Sequence, residues 1–404
     1  MKKSPLGTIL LIVFIDLIGF GMIIPILPLY AKNFAAAEWQ IGFLLASYSF
    51  MQFLAAPVLG FLSDRFGRKP ILLLSLLGSA VGYLIMANAH SLTTLFIARI
   101  IAGICGASVG TAAAYIADIT PPENRSRRMG LIGAAFGVGF VLGPAIGGIL
   151  SQLSTVAPFW FGALLAVLNA GAVVMFLPEP ERHVLRSESR VPVGAEVSDR
   201  TLSGGIPVLV ITYFVAIAAF AVVTMIYPQV LDRRFGLNQS QVNFVFVFLG
   251  LIGVLIQGGA IGRLAKRFGD YRLAAVGLIL MAVSMAVMPF AHNIGSFLLF
   301  TVGLAAGNSL AQPTLTAMAS RLAAATSQGR VIGTVQSAGS LGRVVGPSAG
   351  GFMLGWDRSG PPLVYGNTPF VVGGIVMGLA FLLSLALRTS APSLSQTPAE
   401  IGQK

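Results

Sequence analysis

Between Leu6 and Tyr30 the chain reads "LGTILLIVFIDLIGFGMIIPILPLY", with a single charge at Asp16. A helix on the surface of a soluble protein keeps one polar face; this segment has none. It suits a bilayer-spanning helix, which needs roughly 20 mostly apolar residues. Comparable runs recur at 41–61, 71–89, 92–118, 129–150, 158–177, 206–230, 241–262, 273–291, 295–320, 331–354 and 369–387, so with 6–30 they predict twelve spans. Helix is the expected form, because a helix satisfies its own backbone within lipid. Only 10% of the residues are charged, against about a quarter in soluble domains. The first run carries Asp16, ends in Pro and Gly and lacks a small-residue cleavage site, so it is expected to stay in the mature protein.

The net charge of +12 would suit nucleic acid if it lay on one face, but its placement follows the loops. With loops taken alternately from the N-terminus, twenty lysines and arginines fall on the N-terminal side and four on the other. Arg99 and Arg343 lie inside spans. A bias of that sign places the basic side in the cytoplasm, so both termini are expected there, in an inner or plasma membrane. The expected surroundings are membrane lipid, with no nucleic acid. Cys105 is the only cysteine, and His90, His183 and His292 are scattered, so neither a metal site nor a cofactor is expected. No GxxxxGK[ST] phosphate loop occurs.

The chain also repeats itself. "GFVLGPAIGG" at 139–148 returns as "GRVVGPSAGG" at 342–351, an offset of 203. "GFLSDRFG" at 60–67 returns as "GRLAKRFG" at 262–269, and Pro25 matches Pro228. The reading is an all-α integral membrane protein of two pseudo-symmetric six-helix bundles, 1–178 and 206–388. A polar linker joins them at 179–205, and a tail expected to be disordered follows at 389–404. Parallel repeats of this kind belong to transporters that alternate access around a substrate held between the halves. The chain is therefore read as a transporter of a small molecule, not an enzyme, and as a monomer.

"GFLSDRFGRKP" at 60–70 concentrates charge between two apolar runs. Gly60 would let helices approach and Gly67 would permit a sharp turn. Asp64 sits where a helix N-terminus would favour an anion. The stretch resembles the loop signature of the major facilitator superfamily, carried here by Gly60, Asp64, Arg65, Gly67, Arg68 and Lys69. The resemblance implies that Asp64 latches the halves together through the eleventh span and that Arg68 pairs with Asp118. The basic residues alternatively do no more than hold the loop in the cytoplasm. The second copy has Lys266 for the acid and Asp270 for Arg68, which suggests a looser counterpart.

"GAAFGVGFVLGPAIGG" resembles the glycine–proline signature of antiporters in that superfamily, through Gly139, Gly143, Pro144, Gly147 and Gly148. Small residues there let another helix pack close, and Pro144 would bend the span. "FGMIIPILP" and "LFIARIIAGICGA" are similar to stretches of twelve-span drug–proton antiporters, with Arg99 and Gly103 in register. Ionisable groups within a membrane are costly and usually functional. Arg99 does not release its proton, so it would control a carboxylate, or alternatively bond helix carbonyls. Asp16 is the only acid deep within a span, and burial favours its protonated form. It is the candidate proton site; the alternative is a hydrogen-bonding partner for neighbouring groups.

Nearly the whole chain resembles tetracycline-efflux-type pumps, which implies proton-coupled export of small amphiphilic or drug-like compounds and a role in antibiotic resistance. Three of their ionisable positions are Gly82, Gly253 and Met281 here. Those groups serve proton and metal–tetracycline handling, so a more lipophilic substrate fits better. Arg343 interrupts the second glycine motif and would favour an anionic or zwitterionic substrate. It alternatively pairs with Asp16 or snorkels to water. Gln52, Tyr48, Tyr115, Tyr227, Gln257, Asn308, Gln312 and Gln336 are candidate cavity residues, with helix–helix hydrogen bonding as their other reading. Two rival functions stay open: a facilitator or importer of a small, for instance anionic, metabolite, and a receptor or trafficking protein without flux.

Overall fold

The computed structural model describes residues 5–106, 108–120, 122–180, 205–322 and 328–390. Most of the linker and tail therefore lies outside the described residues. What is described is helical throughout, joined by short loops. The first half holds α1 (Pro5–Lys32), α2 (Glu38–Phe66), α3 (Arg68–Ala87), α4 (Leu92–Ile104), α5 (Ser108–Asp118), α6 (Pro122–Leu153) and α7 (Ala157–Phe176). The second holds α8 (Ile206–Phe235), α9 (Gln239–Leu255), α10 (Ile261–Phe268), α11 (Asp270–Val287), α12 (Ile294–Leu322), α13 (Gln328–Trp356) and α14 (Asn367–Ser390).

Each of the twelve apolar runs falls on this path, two of them interrupted. The fourth breaks between Ile104 and Ser108, and the eighth passes through a π-helical turn at Ile256–Ala260. By length and apolarity alone, ten segments of the described chain can cross a bilayer. In α13 the glycines of the repeated motif and Arg343 dilute the apolar run, and the apolar part of α6 covered by this measure is Gly137–Leu153. Leu54, Val58, Phe61, Leu168, Val174, Ile375 and Leu382 are exposed. On a soluble protein such surface invites aggregation, whereas a lipid-facing helix requires it.

The chain divides into two compact units. The first comprises Met1–Ala37, Ser47–Ala195 and Leu237–Phe248; the second comprises Glu38–Ala46, Glu196–Gly236 and Leu249–Lys404. In the first, α1 packs on α6 and α7, and α3 packs on α7, α4 and α5. Ile9, Ile12, Val13, Leu72, Leu76, Tyr115, Ile116 and Val173 fill the core between them. In the second, α8 packs on α13 and α14, and α11 packs on α12 and α14.

The repeated motif makes the same contact in both units. A Cβ on Gly143 of α6 would stand 2.6 Å from the Ile18 carbonyl of α1. A Cβ on Gly346 of α13 would meet the Ala218 carbonyl of α8 in the same way. Backbone against backbone leaves room for no side chain, so glycine is required at both places.

Candidate functional site

The break in the fourth span organises the polar interior of the first unit. Beyond Ile104 the Gly106 carbonyl leaves the helix ladder, and Gln52 Nε2 donates to it at 2.6 Å. Ser108 opens α5 and donates its hydroxyl to Asp16 Oδ2 at 2.5 Å. An interrupted helix thus supplies both a free carbonyl and a hydroxyl aimed at the only deep acid. Arg99, on α4, is buried, and its guanidinium lies 4.4 Å from the centroid of the Tyr48 ring, a cation–π contact. Its Nε has no hydrogen-bond partner. The Tyr83 phenol lies within electrostatic reach of both Asp16 and Arg99. Asp16, Gln52 and Arg99 therefore stand in one group with Tyr48, Tyr83 and Ser108.

Tyr115 is not brought to that group. It is buried in the apolar core, and its hydroxyl donates to the Pro178 carbonyl at 2.7 Å. Gly82 is closely packed, since a Cβ there would lie 3.0 Å from Ala102 Cβ. Sequence reasoning missed Ser108 and Tyr83. The Cys-Gly-Ala-Ser interruption was the available signal for the first; nothing in the sequence marked the second.

The charged loop forms a compact network. Arg68 bonds Asp118 Oδ2 through Nε at 2.7 Å and Asp64 Oδ1 through Nη1 at 2.6 Å. Its Nη1 also donates to Ser63 Oγ. Gly67 turns the chain at φ 109°, in the left-handed region. The start of α3 is capped by Glu179, whose two carboxylate oxygens accept from the Arg68 and Lys69 amides at 2.5 and 2.9 Å. Asp64 is largely exposed and paired with Arg68. Arg65 reaches over the Phe66 ring. At Gly60 no described atom lies within 4 Å of where a Cβ would be, so no close helix contact is made there in this structure.

The second copy also differs from expectation. Asp270 Oδ2 meets Arg321 at 2.9 Å, with Asp270 buried, and Gly269 repeats the left-handed turn at φ 79°. The counterpart is a clasp with its charges exchanged.

In α6, Gly139 and Gly143 face α1, Gly147 faces Met22, and Gly148 lies against Asn243 and Ser240 of α9. The helix runs unbroken through Pro144. Ser240 donates to the Gly148 carbonyl at 2.8 Å. Asn243 is fully buried beside these glycines, with neither amide atom hydrogen-bonded. It too was missed from sequence.

In the second unit Arg343 is half-buried and donates to Ser340 Oγ at 3.1 Å. Tyr213 of α8 lies beside it, and the Thr316 hydroxyl of α12 donates to the Gln312 carbonyl at 3.0 Å. A cavity of about 10 Å³, room for roughly one water, lies between Tyr213, Met281, Asn308 and Gln312. Met281 and Gly253 leave this interior without the ionisable groups of similar pumps. Gln336 and Gln257 are exposed, and buried Tyr227 bonds Thr301.

The sequence pattern of the Major Facilitator Superfamily matches residues 9–206 and 209–403. The chain is 34% identical to the class B tetracycline resistance protein of Escherichia coli, over 93% of this chain and 94% of that one. It is 28% identical to multidrug resistance protein 1 of Bacillus subtilis, over 96% and 98%. Among solved structures, an inward-facing bacterial homolog of the human lysosomal transporter Spinster superposes with a TM-score of 0.81. That likeness spans 98% of this chain and 99% of that one at 16% identity, so it speaks for the fold alone. With the sequence pattern spanning both halves of the repeat and such relatives along nearly its full length, the chain belongs to the Major Facilitator Superfamily.

Proposed function

We propose that this is a proton-coupled secondary transporter of the inner membrane, exporting small amphiphilic or drug-like compounds by alternating access. The observation that carries the reading is the Asp16–Ser108 hydrogen bond inside the first bundle, beside Arg99 and Tyr83. Relatives that confer tetracycline and multidrug resistance support export as the direction.

The chemistry follows from what a proton does to this bond. An ionised Asp16 only accepts hydrogen bonds, whereas a protonated one has an O–H to donate. A proton taken on Oδ2 would give that oxygen an O–H to donate, so that the Ser108 hydroxyl would turn to accept from it and the contact to the first turn of α5 would change. Arg99 keeps its charge throughout, so the net charge of the Asp16–Arg99 pair goes from zero to +1 with each proton. One proton moving down 100 mV supplies about 2.3 kcal/mol, enough for a gradient of about fifty-fold. Asp64 would latch the cytoplasmic side to the eleventh span in one state, with the Arg68–Asp118 pair holding its loop. Both termini would be cytoplasmic, and the working unit a monomer in lipid. A lipophilic drug suits the interior better than metal–tetracycline, given Gly82, Gly253 and Met281.

Inverted membrane vesicles test this. Uptake of a lipophilic drug should follow an imposed inside-acid pH gradient and collapse on adding a protonophore. Uptake that persists unchanged without the gradient would instead identify a facilitator.

A further inference from the structure

The repeated glycine motif makes a second contact in each unit, and its two copies differ. In the second unit Gly351 of α13 lies on the first turn of α2, where a Cβ would stand 2.5 Å from the Glu38 carbonyl. Gly42, one turn further along α2, meets the Pro347 carbonyl as closely. Glu38 is itself buried; its carboxylate accepts from the Tyr365 hydroxyl at 3.3 Å and lies 3.7 Å from Arg358. In the first unit the equivalent glycine, Gly148 of α6, lies on the first turns of α9. There Ser240 donates to the Gly148 carbonyl at 2.8 Å, and Gln152 donates to Ser240 at 3.1 Å. Gly42 and Asn243 are each the fifth residue of their helix, so Asn243 stands where the other copy has glycine.

That exchange leaves a defect. Asn243 is fully buried, and neither Nδ2 nor Oδ1 has a hydrogen-bond partner among the described residues. A side-chain amide has two N–H donors and an acceptor oxygen to satisfy. Buried and unpaired they cost free energy, whereas in water they are bonded. The cost is felt only while the seam is closed. Both sides of the seam belong to the first unit, while α9 continues from Leu249 into the second. A cycle that moves the second unit therefore works against this seam.

We propose that Asn243 is a built-in weak point. Its unpaired amide keeps the start of α9 from locking onto α6, so that the seam opens and recloses in each transport cycle. The copy at Gly351, backbone against glycine with Glu38 held, stays closed. This rests on the alternating-access reading above and adds the element that sets how readily the protein changes state.

The test uses the full chain in nanodiscs and proteoliposomes. Asn243→Leu keeps the size of the side chain and removes both orphaned groups, so it should melt higher than wild type. Val242 is fully buried on the same turn; a Val242→Cys thiol, followed on its own peptide, reports opening through its rate of labelling by a water-soluble maleimide. Val245→Cys serves as a second reporter. Asn243→Leu should slow that labelling about fivefold to a hundredfold, the factor of one orphaned buried amide, and slow proton-driven uptake of ethidium with it. Ser240→Ala removes a bond that the seam does have and should speed labelling instead. Lower melting with faster labelling in Asn243→Leu would show that the amide is bonded in the closed seam and would overturn the proposal. So would unchanged labelling at both reporters, or slower labelling with uptake equal to wild type. Absence of gradient-driven uptake in the wild type would sink the export reading instead, while melting and labelling would still judge Asn243.

Discussion

The two halves of the repeat keep the same clasp and exchange its charges. In the first, Arg68 at the start of α3 holds Asp118 at the end of α5 at 2.7 Å. In the second, Asp270 at the start of α11 holds Arg321 near the end of α12 at 2.9 Å. Both sit just after a left-handed glycine, Gly67 or Gly269. What the fold needs there is a tie between two helix ends, and either polarity supplies it. The interiors do not share this indifference. The first unit buries an arginine and places an acid among Ser108, Tyr83 and Gln52, whereas the second sets an arginine among neutral donors. Architecture is duplicated; the polar interior is not, with an acid beside Ser108 in one half and an arginine beside Ser340 in the other.

The glycine contacts give the largest effects and test whether the frame is equivalent in both halves. Gly143→Ala and Gly346→Ala each drive a methyl into a backbone carbonyl. Each should lower stability by about 3 kcal/mol, measured by thermal unfolding in detergent, and the two losses should agree within about 1 kcal/mol. A loss confined to one half would break the equivalence.

Next come the clasps. Asp270→Arg sets like charges together at a buried position and should cost about 2 kcal/mol, reduced from the fully buried case because Arg321 is 62% exposed. The exchange Asp270→Arg/Arg321→Asp should recover at least half of that, read as the melting temperature. The same exchange at Arg68 and Asp118 should recover less, because the new acid would face Asp64, now 2.6 Å from Arg68. Equal recovery in both halves would show that Asp64 is a spectator.

The smallest effect separates the halves again. Glu179→Ala removes the carboxylate that caps α3 and should cost about 1 kcal/mol. Glu179→Gln should cost less, since the amide oxygen still accepts. Unchanged melting in the alanine variant would show that the cap contributes nothing.

Much of the frame was legible because it rests on local signals. Apolar length gave the spans, the offset of 203 gave the duplication, and the Arg68–Asp118 contact was expected from the loop pattern and is present. What escaped depends on partners distant in the chain. The break after Ile104 lies inside a run read as one span, and the Gly106 carbonyl there is met by Gln52, 54 residues away. Glu179 read as one charge in a polar linker, although its oxygens meet amides about 110 residues back. Tyr115 read as a cavity residue because hydroxyls in spans invite that reading; packing turned it to Pro178. Asn243 carries no signal until the glycines of α6 are seen against it.

The proposed proton role of Asp16 is tested most directly by purified protein in liposomes with a pH-sensitive dye inside, comparing wild type with Asp16→Asn under an imposed proton gradient. Substrate should trigger proton movement in the wild type, and in Asp16→Asn that movement should fall to the protein-free background while the substrate still binds. Substrate movement without proton flux, equal in both proteins, would contradict the account and leave a facilitator in its place.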